Sequence, residues 1–270
     1  MQPIVSWSFE PFKKSRSWRK PELMLACAKQ SLLSISRHYS TPIVYTDDIG
    51  KYILSILETD CQFDTVLEGC FKNIPTEFWI YPKLLTYSLQ NRPYIHFDLD
   101  FIVHKQFHER LLSCDIAFQN FEPIKETADA YITDMSNCDL ILPDIFNKYH
   151  LDKINPPNVG FLLISNMDFN KKYSQAALSI INDNLNYDFS KTNNRYRVNC
   201  IIEQQLLGLM LRTCGLTYMP FMDTIGNPRN QYFDHYLGEL KNAWATCKEL
   251  EQHVDTSVKQ ASAELAKLLS

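Results

Sequence analysis

Apolar positions along the chain alternate between short runs and longer stretches with helical spacing. Ile4 to Phe9 is an apolar and aromatic run that predicts a first strand, followed by a polar, Lys/Arg-rich loop over 10–20. Pro21 opens a segment in which Leu23, Ala26, Cys27, Leu33 and Ile35 recur at helical spacing as far as Tyr39. Ile43-Val44-Tyr45 then predicts a second strand, and strand, helix, strand in this order is a βαβ unit. Ile53, Leu54, Ile56 and Leu57 predict another helix, Phe63 to Leu67 a short strand, and Thr76 to Gln90 a helix.

Further along, Cys114 to Phe121 and Asn158 to Asn166 predict strands. Between them Glu122 to Asn155 mixes turns with the apolar piece Leu140-Ile141-Leu142, before a Pro156-Pro157 break. Helices are expected from about Asn170 to Leu185 and from Ile201 to Leu211, the second opening with Glu203-Gln204-Gln205. Leu216 to Phe221 predicts a strand, and a loop through Gly226-Asn227-Pro228 leads to Tyr232–Gly238. No internal repeat or low-complexity segment interrupts this order. The expected architecture is therefore α/β, with a mixed, mostly parallel sheet flanked by helices over residues 1–238.

Residues 239–270 differ. Leu240, Trp244, Cys247, Val254, Val258, Ala261, Leu265 and Leu268 follow a three-four spacing on one long C-terminal helix, with Glu251 as a polar interruption. An amphipathic helix packed back on the domain and a self-association helix that would make a homo-oligomer both fit this spacing. An interfacial membrane helix fits less well, because the polar face mixes acids with lysines.

The candidate chemistry lies in P-Y-I-H-F-D-L-D-F-I-V-H-K, Pro93 to Lys105. Two carboxylates, Asp98 and Asp100, sit one residue apart within a strand-like apolar run. On an extended strand they would share a face, with Leu99 turned toward the core. Like charges so placed raise each other's pKa unless a cation joins them. At the carboxyl end of a strand in an open α/β sheet, where ligands bind, the pair calls for a hard divalent ion, Mn²⁺ or Mg²⁺. The alternative is an ordinary surface turn.

Bulk properties narrow the field. The 270 residues are 45% hydrophobic, enough for one large α/β domain with a tail. A net charge of -4 offers no general nucleic-acid-binding surface. Eight cysteines are scattered without a C-x-x-C pair or a zinc-like cluster, which suits a reducing cytoplasm. The first ten residues lack the pattern of a signal peptide, and no uninterrupted apolar run reaches about 18 residues, so no transmembrane segment is expected. A cytoplasmic protein, or one peripheral to the membrane, is the expectation.

Taken together, a strand ending in Asp-x-Asp, a later N-V-G-F-L-L-I-S-N strand, an acid-Gln pair and a final H-Y-L-G-E-L-K resemble the GT-A nucleotide-sugar glycosyltransferases. The closest resemblance is to the retaining family-eight type of glycogenin and bacterial galactosyltransferases, over residues 3 to about 244. The resemblance implies a Rossmann-like GT-A fold and transfer of a sugar from a nucleoside-diphosphate sugar, UDP-linked, to a glycan or glycolipid acceptor, as in polysaccharide biosynthesis. It implies Asp98, Asp100 and His235 as ligands of Mn²⁺, Leu99 as a donor-binding position, Gly238 as a backbone approach to a phosphate, and Lys241 as the charge that meets the departing diphosphate. Lys83 stands where the family has Arg. By the same resemblance Asn158 and Gly160 approach the sugar or acceptor, and Glu203 and Gln204 lie near the donor sugar as candidate nucleophiles.

The chain also departs from the pattern. Trp7-Ser8-Phe9 replaces a polar base-binding element, leaving Trp7 to stack on the base, and Asn242-Ala243-Trp244 replaces Pro-Trp after the lysine. Plain readings stand beside these roles: a hydrogen-bonded loop histidine for His235, a solvated charge for Lys83, and a first-turn helix acid for Glu203. The alternatives to an enzyme of this type are a non-catalytic nucleotide-sugar-binding scaffold and a haloacid-dehalogenase-type phosphatase, although the second normally carries its Asp-x-Asp near the N-terminus.

Overall fold

The computed structural model describes residues 1–14, 18–122, 140–148, 154–191, 195–222, 229–236 and 238–270. The loop expected at Gly226-Asn227-Pro228 and most of the turns expected between 122 and 155 lie outside them. The chain divides into two compact units. One comprises Met1–Gly69, Ile95–His108 and Asn227–Ser270; the other comprises Cys70–Tyr94 and Glu109–Gly226.

In the first unit β1 (Gln2–Ser6) is followed by α1 (Phe9–Lys14), α2 (Pro21–His38), β2 (Ile43–Tyr45), α3 (Asp48–Ser55) and β3 (Gln62–Asp64). The βαβ expectation is met: β2 pairs in parallel with both β1 and β3. The first strand is shorter than the Ile4–Phe9 run suggested, because Asp47 ends it. One oxygen of Asp47 accepts from the Ser8 hydroxyl and the Phe9 amide, both at 2.7 Å, and the other caps α3 through Gly50 N at 2.7 Å. A Cβ on Gly50 would lie 2.0 Å from Thr46 Oγ1 and 3.0 Å from the Trp7 ring, so only glycine lets α3 start this close.

The second unit, from Cys70, has α4 (Tyr81–Ser88) as its first helix among the described residues, with an onset later than the expected Thr76. The Ile80 amide is taken by the Asn199 side chain at 3.1 Å, and Pro82 occupies the first turn, where it needs no donor. β4 (Tyr94–Phe97), all but its first residue, and β5 (Phe101–Val103) belong to the first unit, and β6 (Ile116–Phe121) and β7 (Pro157–Ile164) to the second. All eight residues of β7 are buried. Asn166 caps α5 (Met167–Asp183) by accepting from Phe169 N at 3.0 Å. The helix expected from Ile201 begins earlier: α6 (Arg195–Cys200) runs through a π-helical turn, Ile201–Gln205, into α7 (Leu206–Thr213). The last strands are β8 (Tyr218–Met222), in this unit, and β9 (Phe233–His235), in the first.

The sheet has seven strands in the order β3-β2-β1-β4-β7-β6-β8, with β6 antiparallel to β7 and parallel to β8. It is the mixed, mostly parallel, helix-flanked sheet expected. The remaining strands, β5 and β9, form a separate antiparallel ribbon.

The tail departs from expectation. Instead of one long helix it forms α8 (Trp244–Glu251) and α9 (Thr256–Leu269). Asp255 separates them by capping α9 through Val258 N at 3.0 Å while pairing with Lys29 of α2 at 2.6 Å. Within the predicted stripe Val258, Ala261 and Leu265 are buried, whereas Trp244 is 73% exposed. Leu250 is buried in a cluster with Trp18, Leu23, Cys27 and Tyr236. The stripe thus packs back on the unit that carries it.

Lys29 and the Val258 amide, with Ser257, hold the half-exposed Asp255 carboxyl down at about 2. A depressed carboxylate stabilises the fold above its unfolded value near 4, and that contribution is lost as the pH falls toward 2. Asp255→Ala should lower the melting temperature by about 2–4 °C at pH 7, from a cap worth about 1 kcal/mol, and by less near pH 2. Equal losses at both pH values in a calorimetric comparison would contradict this.

Candidate functional site

The two carboxylates do not lie on one extended strand. β4 ends at Phe97, and Asp98–Asp100 form a turn closed by Phe101 N donating to Asp98 O at 3.0 Å, after which the chain enters the β5–β9 ribbon. The face-sharing expected from strand alternation is therefore replaced by turn geometry. Leu99 is only partly buried, and its carbonyl lies 3.8 Å from Cys27 Sγ.

The ribbon brings a distant histidine to this turn. Phe101 pairs with His235, Tyr236 N donates to Asp100 O at 3.0 Å, and Phe101 stacks on Phe233 with centroids 4.6 Å apart. Ser31 and Ser34 of α2 anchor β5 through the Phe101 carbonyl at 2.8 Å and the Val103 amide at 2.9 Å. As a result one ligand atom each from Asp98, Asp100 and His235 falls within 4.8 Å of the others. Two carboxylate oxygens and an imidazole nitrogen fit a divalent cation of the Mn²⁺ kind. Other ligands would have to complete its shell.

Gly238 takes φ +46, with open space where a Cβ would be, and starts the 3₁₀ turn Gly238–Asn242. The turn it allows returns Lys241 Nζ to 2.6 Å from Asp100 Oδ2. His235 Nε2 is 3.5 Å from Asp100 Oδ1. Burial alone would raise the Asp100 carboxyl, but the Lys241 ammonium and the His235 ring hold it well below the usual carboxylate range. Burial likewise works against the Lys241 charge, and Asp100 outweighs it, so this ammonium is raised and stays protonated. The site therefore carries a fixed anion and a fixed cation in contact.

The second unit holds another charged group. Lys83 and Glu203, 8% and 3% exposed, form an ion pair at 3.0 Å, and Lys83 also donates to Val159 O at 3.2 Å. Neither plain reading survives: Lys83 is not a solvated charge, and Glu203 lies inside a helical run, in its π turn. Tyr173 donates to the Glu203 carbonyl at 3.0 Å. Gln204 is partly buried beside it. Asn158, buried in β7, donates to Glu122 at 2.5 Å and accepts from Gly160 N at 3.1 Å. Trp7, partly buried in the first unit, has its ring 6.0 Å from that of Phe12.

Sequence reasoning passed over His96. It is fully buried, its Nε2 lies 2.9 Å from Ser6 Oγ, and its Nδ1 is 3.9 Å from Asp98 Oδ1. The available signal was a lone polar residue inside the apolar β4, two positions before Asp98. The Asp47 junction and the π turn had no comparable signal.

The fold is of the GT-A type. The galactosyltransferase LgtC, solved in complex with donor and acceptor sugar analogues, superposes with a TM-score of 0.50 over 94% of this chain and 95% of that one, at 10% identity. An active-site mutant of LgtC gives 0.51 over the same shares, also at 10% identity. Likeness at this identity speaks for the shared fold. No curated protein matches the sequence. A family profile does match it, over residues 5–268, and the chain belongs to that family, the family of unknown function DUF6734.

Proposed function

We propose that the protein is a metal-dependent glycosyltransferase that moves a sugar from a nucleoside-diphosphate sugar, a UDP-sugar, to a glycan or glycolipid acceptor with retention. The observation that carries this reading is the convergence of Asp98, Asp100 and His235, with Lys241 against Asp100, in a GT-A-type fold. Asp98, Asp100 and His235 would hold the divalent ion, Mn²⁺ in preference to Mg²⁺ because one ligand is an imidazole. When bound, the ion supplies positive charge for the donor's diphosphate.

As the bond from the anomeric carbon to the diphosphate oxygen breaks, its electron pair stays on that oxygen. Lys241, already protonated and held by a short contact, can meet the growing negative charge with little reorganisation. Asp100, held ionised, keeps that ammonium in place. Gly238 leaves its backbone open to a phosphate, and Trp7 offers an aromatic face to the base. Glu203 and Gln204 are the candidate groups beside the donor sugar, Lys83 fixes the Glu203 carboxylate, and Asn158 and Gly160 are assigned to the sugar or acceptor side. The same assignment places the protein in polysaccharide biosynthesis on the cytoplasmic side. Among the described residues no helix is long and apolar enough to cross a membrane.

The test is a thermal-shift panel of UDP-sugars and other nucleotide sugars with and without Mn²⁺. Binding to the native state at about 100 times the dissociation constant should add about 2.7 kcal/mol and a rise of several degrees, only with both donor and metal present. A flat panel for every donor would remove the proposal.

A further inference from the structure

The exposed Trp244 lies beside a feature that the metal site does not use. A groove of about 420 Å³ in the first unit has Arg19, Lys20, Asn242, Trp244, Lys248 and Glu251 among its lining residues. The Arg19 amide donates to Asn242 Oδ1 at 2.8 Å, which ties the basic segment before α2 to the turn before α8. Lys248 Nζ sits 4.9 Å from the Trp244 ring centroid, and Lys20 pairs with Glu251 at 3.0 Å. Arg19 takes part in no ion pair among the described residues.

We propose that this groove binds an anionic glycan through a carboxylate-bearing sugar, a subsite for the acceptor if the glycosyltransferase reading holds. Three physical features favour this ligand. First, an indole this exposed in the lining of a concavity gives the polarised C–H face of a pyranose a ring to stack on. Second, Lys20 and Lys248 are already engaged, so the uncommitted cation is Arg19, whose planar fork matches a single carboxylate. Third, the Glu251 carboxylate has acceptor capacity beyond its pairing with Lys20 and can accept from sugar hydroxyls. An anionic membrane is the poorer fit, because the site is a hollow with an acid in its lining and one aromatic anchor.

The experiment is isothermal titration of the full chain with tetragalacturonate in EDTA and without nucleotide, so that neither metal nor donor binding contributes. Wild type should bind it, and bind maltotetraose at least ten-fold more weakly. Trp244→Ala and Arg19→Ala should each weaken tetragalacturonate at least ten-fold, while Trp244→Phe retains most of the affinity. Both side chains are exposed, so unchanged melting temperatures verify the fold. No binding by wild type, equal binding of the two sugars, or unaltered affinity in both alanine variants overturns the proposal. So does Trp244-dependent sedimentation with phosphatidylglycerol vesicles in place of sugar binding. The donor panel is read separately: if tetragalacturonate binds while every nucleotide sugar fails, the groove stands and only its role as an acceptor subsite falls.

Discussion

Asp100→Asn should abolish Mn²⁺-dependent release of nucleoside diphosphate from the donor while leaving the fold recognisably intact by circular dichroism. The substitution keeps side-chain size but removes the charge that both a divalent ion and Lys241 require. Loss of a supporting group around a metal typically costs 10–100-fold in affinity, and loss of a direct ligand should exceed that, so Mn²⁺ affinity is expected to fall by at least about 100-fold. Free Mn²⁺ measured by electron paramagnetic resonance reads this without reference to turnover. Lys241→Met provides the contrast: it should retain metal binding and lose affinity for the diphosphate. Asp100→Asn protein that still binds Mn²⁺ as wild type does would take the ion away from this turn.

The second large effect concerns stability. Glu203→Ala should cost about 3–5 kcal/mol, because it leaves the Lys83 ammonium buried without its carboxylate. For a chain of this size that corresponds to a fall in melting temperature of roughly 10 °C. The double variant Lys83→Met/Glu203→Gln removes the charge on both sides and should recover most of the loss, since a buried pair replaced by groups of similar volume is often close to neutral. A double variant no more stable than Glu203→Ala would show that the loss comes from the π turn and not from the stranded charge. Whether the double variant recovers donor turnover then separates stability from function, because the proposed role beside the donor sugar needs the carboxylate itself.

Much of the architecture was legible in the order of apolar runs. β2 lies where Ile43-Val44-Tyr45 predicted it, α2 differs from its predicted end by one residue, and β7 covers most of the Asn158–Asn166 run. Boundaries failed where a side chain from elsewhere took over a backbone group. Asp47 stops β1 before Phe9, Asn199 takes the Ile80 amide and delays α4, and Asp255 breaks the tail into two helices. Periodicity could not show these, because each depends on a partner far along the chain or on a local hydrogen bond that competes with the helix.

By itself the sequence determined the chemical types available at the site, two acids one residue apart and a later His-x-x-Gly-x-x-Lys, and the α/β order that carries them. Only the tertiary structure decided that Asp98 and Asp100 converge through a turn, that Glu203 is a buried partner of Lys83, and that Trp244 faces outward. The physical reason is that residue spacing fixes local direction only. Pairing of β5 with β9 joins positions 134 residues apart, and the cost of burying a charge is settled by whichever opposite charge the completed fold sets against it.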